Sequence, residues 1–236
     1  MPTSTVEDYL KAILLAEERQ AGELLVTMGQ IASALEVAPG TVTAMVKTLE
    51  KDGLLSYEPY SGVRLSGAGR SAALHVLRRH RLIELFLVET LGFDWSEVHE
   101  EAEQLEHAMS DKLIDRIDAL LGYPSVDPHG DPIPDGSGKT RDAELISLLD
   151  CPPGDAFRIA RVSDQGEAFL RFVERHGLKP GSQIAVYQRD PAADAVTIQP
   201  ERLPKVTIGG EAASKLWVEC VPRAAAAKKS TPPSDP

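Results

Sequence analysis

The stretch His99-Glu-Glu-Ala-Glu103-Gln-Leu-Glu106-His107 concentrates metal-capable side chains at helical spacing. On an α-helix, positions i, i+4, i+7 and i+8 share one face, so His99, Glu103, Glu106 and His107 form a single stripe. His80 and Glu84 repeat the i, i+4 spacing one helix earlier. Imidazole and carboxylate together suit divalent first-row metals, and an oxygen-rich set leans towards manganese or iron. A polar stripe turned towards a core needs pairing, and a cation supplies it. The same spacing also describes a solvated helix face or a set of intrahelical pairs. For His80 and Glu84 alone that plainer reading is the stronger, and the surrounding elements have to decide.

The chain has 236 residues, enough for two or three small domains, with an ordinary apolar content of 42%. No run of about 18 apolar residues occurs, which argues against a transmembrane helix. The first residues lack the basic-then-apolar order of a signal peptide. Cys151 and Cys220 are the two cysteines. Without a secretory signal they read as reduced thiols, and the expected setting is the cytoplasm. The net charge of −11 is uneven: −3 over residues 1–70, −8 over 71–140 and zero over 141–236. The acidity therefore gathers around the candidate ligands, where a bound cation would relieve the repulsion between carboxylates.

Leu10, Ile13 and Leu14 predict a first helix over 5–19, with Thr5 as its cap. A second is expected over 27–36, with Met28, Ile31, Ala32 and Leu35 on one face. A third, over about 40–52, is opened by Pro39-Gly40 and stopped by Gly53; it buries Val42, Met45, Val46 and Leu49. This is a helix-turn-helix. Its outer face carries Thr41, Thr43, Lys47 and Lys51, whose hydroxyls and amines can reach phosphates and base edges. Two short apolar runs around a Pro/Gly turn then predict a β-hairpin wing, from which Tyr60 and Arg64 would touch the DNA backbone. Thr5, Pro39 and Gly40 complete the candidate DNA-contacting set. Ala38, Gly40 and Ala44 offer few hydrogen bonds, so specificity would rest on methyl contacts and DNA shape. A helical hairpin that merely packs is the alternative, but it leaves the wing and the polar face without a role.

Ser66 opens a long helix to about residue 91 that is apolar on more than one face, as expected of a helix buried by its own domain and by a partner copy. Asp94-Trp95-Ser96-Glu97 reads as a capping box for one helix over about 95–121, ended by Gly122. Together these helices predict a homodimer interface, which suits a two-fold symmetric operator. Residues 123–139 hold Pro or Gly at nearly every turn and read as a linker, with His129 a solvated loop histidine. A short helix is expected over 140–149. Strand-like runs follow at Ala156–Val162, Gln183–Gln188, Ala195–Ile198, Lys205–Ile208 and Lys215–Val221, with a helix over Glu167–Arg175; five short strands predict a small SH3-like barrel. The end of the chain, 223–236, is low in complexity and expected to be disordered. The fold class is thus mainly α with small β: a winged helix-turn-helix (1–70), a helical metal-binding and dimerisation domain (71–122), a linker (123–139) and an SH3-like domain (140–222).

Several stretches carry a family resemblance: Val6-Glu7-Asp8-Tyr9-Leu10-Lys11-Ala12-Ile13, Thr41-Val42-Thr43, Lys51-Asp52-Gly53-Leu54, His80-Arg81-Leu82-Ile83-Glu84, Glu103 to Asp111, and Pro128-His-Gly-Asp-Pro-Ile-Pro134. Over roughly residues 4–222 the chain resembles the diphtheria toxin repressor family of metal-dependent transcriptional regulators, most closely its manganese-responsive branch. The resemblance implies a primary metal site of Asp8, Glu103, Glu106 and His107. It implies an ancillary site of His80, Glu84 and His99, with Asp164 or Gln165 as ligands from the terminal, FeoA-type domain. Iron-responsive members carry a methionine and a cysteine where this chain has Asp8 and Glu103, so Mn²⁺, with Fe²⁺ as the second choice, is the implied cofactor. The manganese branch has a second carboxylate where this chain has Lys11, a departure from its binuclear pattern.

The implied function is not enzymatic. A cation bridging the first helix to the dimer scaffold would set the two recognition helices for a palindromic double-stranded operator, and metal-uptake genes would be repressed. Two rivals remain from the residues themselves: a carboxylate-bridged metalloenzyme, since Glu and His on facing helices also build di-iron sites, and a metal-independent winged-helix regulator.

Overall fold

The structure, a computed structural model, describes residues 3–20, 24–141 and 143–221. They fall into two compact units that divide between Asp142 and Ala143.

In the first unit, α1 spans Ser4–Arg19, and its N-cap is Thr3, whose hydroxyl accepts from the Val6 amide; Thr5 lies inside the first turn. Helix α2 (Met28–Ala34) opens with a capping box between Thr27 and Gln30. Helix α3 (Pro39–Lys51) starts at Pro39, whose fixed φ and missing N–H suit the first turn. Strands β1 (Leu55–Glu58) and β2 (Gly62–Leu65) pair antiparallel as the wing. Val26 adds a bridge to Val63. Leu10, Ile13, Ile31, Val42, Val46, Leu49 and Val63 form one buried core.

Helix α4 (Gly67–Leu91) starts on Ser66, which caps the Gly69 amide, and stops at left-handed Gly92. Gly69 has to be glycine, because a Cβ there would sit 1.8 Å from the Leu54 carbonyl oxygen. Ala73 and Leu77 of α4 belong to the winged-helix core. Leu82, Ile83, Leu85 and Leu87 belong to a second core with Val98, Ala102, Ile114, Ile117 and Ile133. One continuous helix thus joins both cores.

The expected single helix over 95–121 is two helices, α5 (Val98–Leu105) and α6 (Asp111–Leu120). Ser110 breaks it: its hydroxyl accepts from the Leu113 amide, offering the chain a new N-cap instead of a continued helix. Nor is there a capping box at 94–97. Asp94 Oδ1 instead takes the Ser96 amide and hydroxyl at 2.8 and 2.6 Å, and α5 begins without a side-chain cap.

The expected linker over 123–139 is also corrected. Asp127, His129, Asp131 and Ile133 are buried in the first unit. Its prolines and glycines shape a tight loop closed by a Val126–Pro132 bridge.

The second unit is the SH3-like domain, an antiparallel sheet in the order β3-β8-β4-β5-β6-β7. Its strands are β3 (Ile146–Ser147), β4 (Ala156–Val162), β5 (Gln183–Asp190), β6 (Ala195–Pro200), β7 (Val206–Gly209) and β8 (Leu216–Cys220), with helices α7 (Glu167–Arg175) and α8 (Gly210–Ser214). Among the described residues of 140–149 there is no α-helix: β3 pairs with β8, and a 3-10 turn (Leu148–Asp150) follows before Cys151-Pro-Pro. Proline disfavours a helical residue before it, which ends that turn. The tail over 223–236 lies outside the described residues. Among the described residues no helix is long and apolar enough to cross a membrane.

Candidate metal centre

Helical spacing puts Glu7, Asp8 and Lys11 on one face of α1. His80 and Glu84 lie one turn apart on α4, and α5 supplies His99, Glu103 and, at its C-cap, Glu106. His107 comes from the turn that follows, which Arg79 fastens by pairing with Asp111 at 2.7 Å and reaching the Glu106 carbonyl.

These side chains meet. His107 Nε2 lies 2.7 Å from Asp8 Oδ1 and 3.3 Å from Glu106 Oε1, while its Nδ1 lies 2.7 Å from Glu7 Oε2. His80 Nδ1 lies 2.6 Å from Glu106 Oε2, and its Nε2 lies 3.0 Å from Glu84 Oε1 and 3.2 Å from His99 Nδ1. Glu106, fully buried, stands between the two groups. Asp8, Glu106 and His107 present donor atoms within 4.8 Å of one another, and so do His80, His99 and Glu103. The family resemblance groups Glu103 with Asp8, Glu106 and His107. Here its Oε1 is instead 3.7 Å from His99 Nε2, and the Lys11 ammonium stands between it and Glu106, 2.7 Å from Glu103 and 2.6 Å from Glu106.

The electrostatics follow from burying so many carboxylates together. Burial works against the charge on His80, but Glu84 and Glu106 overcome it and raise its pKa to about 9. Burial likewise works against charge on Lys11 and His107, and their carboxylate partners again win, raising both. Glu84 is held well below the usual carboxylate range by His80 despite its burial, whereas burial raises Asp8. Bound protons and one ammonium therefore offset part of the cluster's negative charge. A divalent cation fits the same donors, which are carboxylate oxygens and imidazole nitrogens without sulfur, a set suited to manganese or iron.

Two residues outside the expected ligand set join the centre or lie against it. Glu7 orients His107, and its position beside Asp8 in the sequence was the available signal. His129, read as a solvated loop histidine, is fully buried; it packs against Trp95 with Glu84 and Asp127 nearby. Burial and the charges of Asp131 and Glu84 push Asp127 well above the usual carboxylate range. Asp164 and Gln165 belong to the second unit. There Asp164 caps the Gly166 amide at 2.9 Å and pairs with Lys215 at 3.0 Å.

The candidate DNA-contacting residues present a polar surface. Thr5, Pro39, Gly40, Thr41, Lys47, Lys51, Tyr60 and Arg64 are exposed, and Thr43 is half-buried. Tyr60 stands at the wing tip with φ 66°. The Thr43 hydroxyl donates to the Pro39 carbonyl at 3.1 Å, so its methyl and its lone pairs are what it can offer to a base.

Three family models match the chain. Residues 1–63 match the N-terminal DNA-binding domain of iron-dependent repressors. Residues 66–135 match their metal-binding and dimerisation domain. Residues 146–220 match the FeoA domain. The iron-dependent repressor IdeR of Mycobacterium leprae is 33% identical over 230 residues, covering 92% of this chain and 97% of that protein. The diphtheria toxin repressor of Corynebacterium efficiens is 34% identical over 160 residues, 66% of this chain and 68% of its own. A solved manganese-dependent transcriptional repressor in complex with manganese superposes with a TM-score of 0.81 at 38% identity, covering 92% of this chain and all of that one.

Proposed function

Because this chain belongs to the iron-dependent repressor family, to which the diphtheria toxin repressor also belongs, we propose that it is a divalent-metal-dependent transcriptional repressor that binds operator DNA as a homodimer. It is a regulator and not an enzyme; the metalloenzyme alternative explains neither the winged helix nor relatives that are repressors. On this reading residues 1–70 contact DNA, and residues 71–122, with the loop that follows, hold the metal and the second copy. Asp8, Glu103, Glu106 and His107 serve as primary ligands, and His80, Glu84 and His99 as ancillary ones. The preferred cation is Mn²⁺, with Fe²⁺ accessible, because every donor is oxygen or nitrogen.

The observation that carries this proposal is the approach of Asp8 Oδ1 to His107 Nε2 at 2.7 Å. It ties α1, which packs in the same core as the recognition helix, to the turn after α5. A bound cation supplies a fixed double charge at which Asp8, Glu106 and His107 can converge without sharing protons. Asp8 reaches that position in only one placement of α1, so ligation selects that placement. Ile13 and Leu14 carry it into the core shared with Val42 and Val46 of α3. Thr41, Lys47 and Lys51 then face the groove at a fixed spacing in each copy. Leu91, Phe93, Leu113, Leu120 and Tyr123 stay exposed in the single chain and supply apolar surface for the partner copy. The genes expected under such control are those for metal uptake.

Gel retardation of operator DNA, after chelation and again with Mn²⁺, tests this proposal. Retardation that requires Mn²⁺ in the natural sequence and is lost in Glu106→Ala is the expected result. Equal retardation with and without chelator would overturn metal dependence.

A further inference from the structure

Two charged residues stand where their own helices disfavour them. Glu17 lies in the last turn of α1, and Arg70 lies in the first turn of α4. The helix macrodipole sets negative partial charge against the first and positive partial charge against the second. Glu17 is also only 3% exposed, and a buried carboxylate costs free energy unless it is paired and hydrogen-bonded. Each position therefore needs a reason from outside its own helix.

They meet at one joint. Glu17 Oε2 accepts from Arg70 Nη2 at 2.7 Å, and Glu17 Oε1 accepts from the Leu65 backbone amide at 2.8 Å. Leu65 ends β2, the second strand of the wing, and the next residue, Ser66, caps α4. The joint is closed from its other side by Ser66, whose hydroxyl donates to the Gly53 carbonyl at 2.7 Å and whose amide donates to the Leu54 carbonyl at 3.0 Å. Further along β2, Val63 exchanges both backbone hydrogen bonds with Val26, each at 2.9 Å. Gly62 passes so close that a Cβ on it would lie 2.5 Å from the Val26 carbonyl oxygen. The wing strand nearest α1 is thus held by backbone contacts along one stretch and by a single carboxylate at its end.

Asp8 and Glu17 stand nine residues apart on α1, about 13.5 Å along its axis at 1.5 Å per residue. One end of the helix reaches the candidate metal centre and the other reaches the wing joint. We propose that Glu17 is the positioning residue through which α1 sets the wing: ligation fixes Asp8, and Glu17 carries that placement to Leu65, and so to neighbouring Arg64 and to Tyr60 at the tip. This rests on the repressor reading above and deepens it. Ile13 and Leu14 place the recognition helix through the core, whereas Glu17 places the wing, so one helix sets both DNA-contacting elements by separate contacts. Apolar packing is non-directional. Two hydrogen bonds from one carboxylate, one of them charge-assisted, fix direction as well as distance, and so pass on a rotation of α1 that packing alone would absorb.

The test asks whether Glu17 acts through the wing. Operator binding of the full chain is measured at saturating Mn²⁺ for Glu17→Gln and Glu17→Leu, each made in the natural sequence and in a wing-silenced background carrying Tyr60→Ala and Arg64→Ala. Glutamine keeps an oxygen for the Leu65 amide but loses the charge that holds Arg70; leucine loses both. In the natural sequence the expected loss of affinity is tenfold or more for Glu17→Leu and smaller for Glu17→Gln. In the silenced background the same substitutions should change affinity less than twofold, because the contact they disturb is already gone. Arg70 is exposed, so Arg70→Met tests the same joint should Glu17→Leu fail to fold, and it should match Glu17→Gln. Calorimetric titration of the DNA-free chain should give the same Mn²⁺ midpoint in every variant. An equal loss in both backgrounds marks a merely structural role and overturns the proposal. Full affinity in Glu17→Leu, or a silenced wing that costs no affinity, overturns it as well. Retardation of DNA by the natural sequence without Mn²⁺ counts against the repressor reading instead, since the wing dependence of the Glu17 effect is scored at saturating metal.

Discussion

Lys11 Nζ lies 2.6 Å from Glu106 Oε1, at the buried heart of the candidate metal centre. The ammonium sits between Glu103 and Glu106, where a cation would otherwise neutralise them. If Glu106 ligates as proposed, the ammonium is a tethered competitor that must yield some of its contacts before Glu106 can give both oxygens to an ion.

Lys11→Met should therefore act with opposite signs in the two states. Breaking a buried ion pair from one side costs roughly 3–5 kcal/mol, because the remaining charge is left uncompensated, so the metal-free variant should melt several degrees lower. With the competitor removed, Mn²⁺ affinity should rise roughly tenfold, as expected if about 1.4 kcal/mol of competition is relieved. Calorimetric titration and differential scanning calorimetry measure both. Weaker Mn²⁺ binding in the variant would assign Lys11 a supporting role instead.

Leu91→Asp should weaken the homodimer. Leu91 remains 56% exposed at the end of α4 within the single chain, beside Phe93, and a carboxylate there would have to be desolvated on association. Sedimentation at micromolar concentration should shift towards monomer, with the fold unchanged by circular dichroism. An unaltered dimer would place the interface elsewhere.

Most of this fold was legible because local chemistry announced it. Pro39 and Gly53 frame the recognition helix, Ser66 opens α4 and Gly122 follows α6. That the candidate ligands meet was legible because His99, Glu103, Glu106 and His107 keep helical spacing even though the helix ends at Leu105. What failed were the cases in which a polar side chain had two competent uses. Ser110 reads as one more helical residue until its hydroxyl caps Leu113. Asp94 reads as a helix cap but folds an Asx turn. The loop of 123–139 looked like a linker because proline and glycine mark turns whether or not those turns are buried. Only packing against Trp95 and Glu84 distinguishes His129 from a solvated histidine, and nothing in sequence spacing encodes that contact.

Lys47→Ala should weaken operator binding broadly and lessen its salt dependence. Lys47 is exposed on the outer face of α3, and an ammonium on a phosphate carries charge without sequence information. The slope of log affinity against log salt should flatten by about 0.9 for one lost phosphate contact. Thr43→Val should be milder than Thr43→Ala, because the threonine hydroxyl donates to Pro39 and the methyl is the group left for a thymine. Filter-binding titrations across salt concentrations check both, and an unchanged slope in Lys47→Ala would remove it from the phosphate contacts.

The two thiols should react very differently. Burial pushes the Cys151 thiol up to about 12, with the neighbouring Cys220 adding to the effect, while Cys220 itself is exposed. At pH 8 a thiol of that acidity is thiolate in about one part in ten thousand, and only the thiolate attacks. Iodoacetamide under native conditions should therefore modify Cys220 alone, and Cys151 should react only after unfolding. Peptide mapping that finds both labelled at equal rates in the folded chain would contradict the burial of Cys151.

Metal choice should follow Asp8. Its carboxylate meets His107 at 2.7 Å and is only half-buried, so it can be exchanged without emptying a core position. Methionine at that place offers a thioether, softer than a carboxylate and uncharged. Softer donors favour later metals of the first row, and the loss of one negative charge weakens binding of every divalent ion. Asp8→Met should then need more Mn²⁺ to retard operator DNA, by a factor of ten or more, equivalent to at least about 1.4 kcal/mol. The requirement for Fe²⁺ or Co²⁺ should rise less, so the order of preference turns away from manganese. Gel retardation titrated anaerobically with each metal measures the three midpoints side by side. If all three shift by the same factor, Asp8 contributes charge but does not select the metal. If none shifts, Asp8 does not ligate, and the link from α1 to His107 would have to run through Glu7 instead.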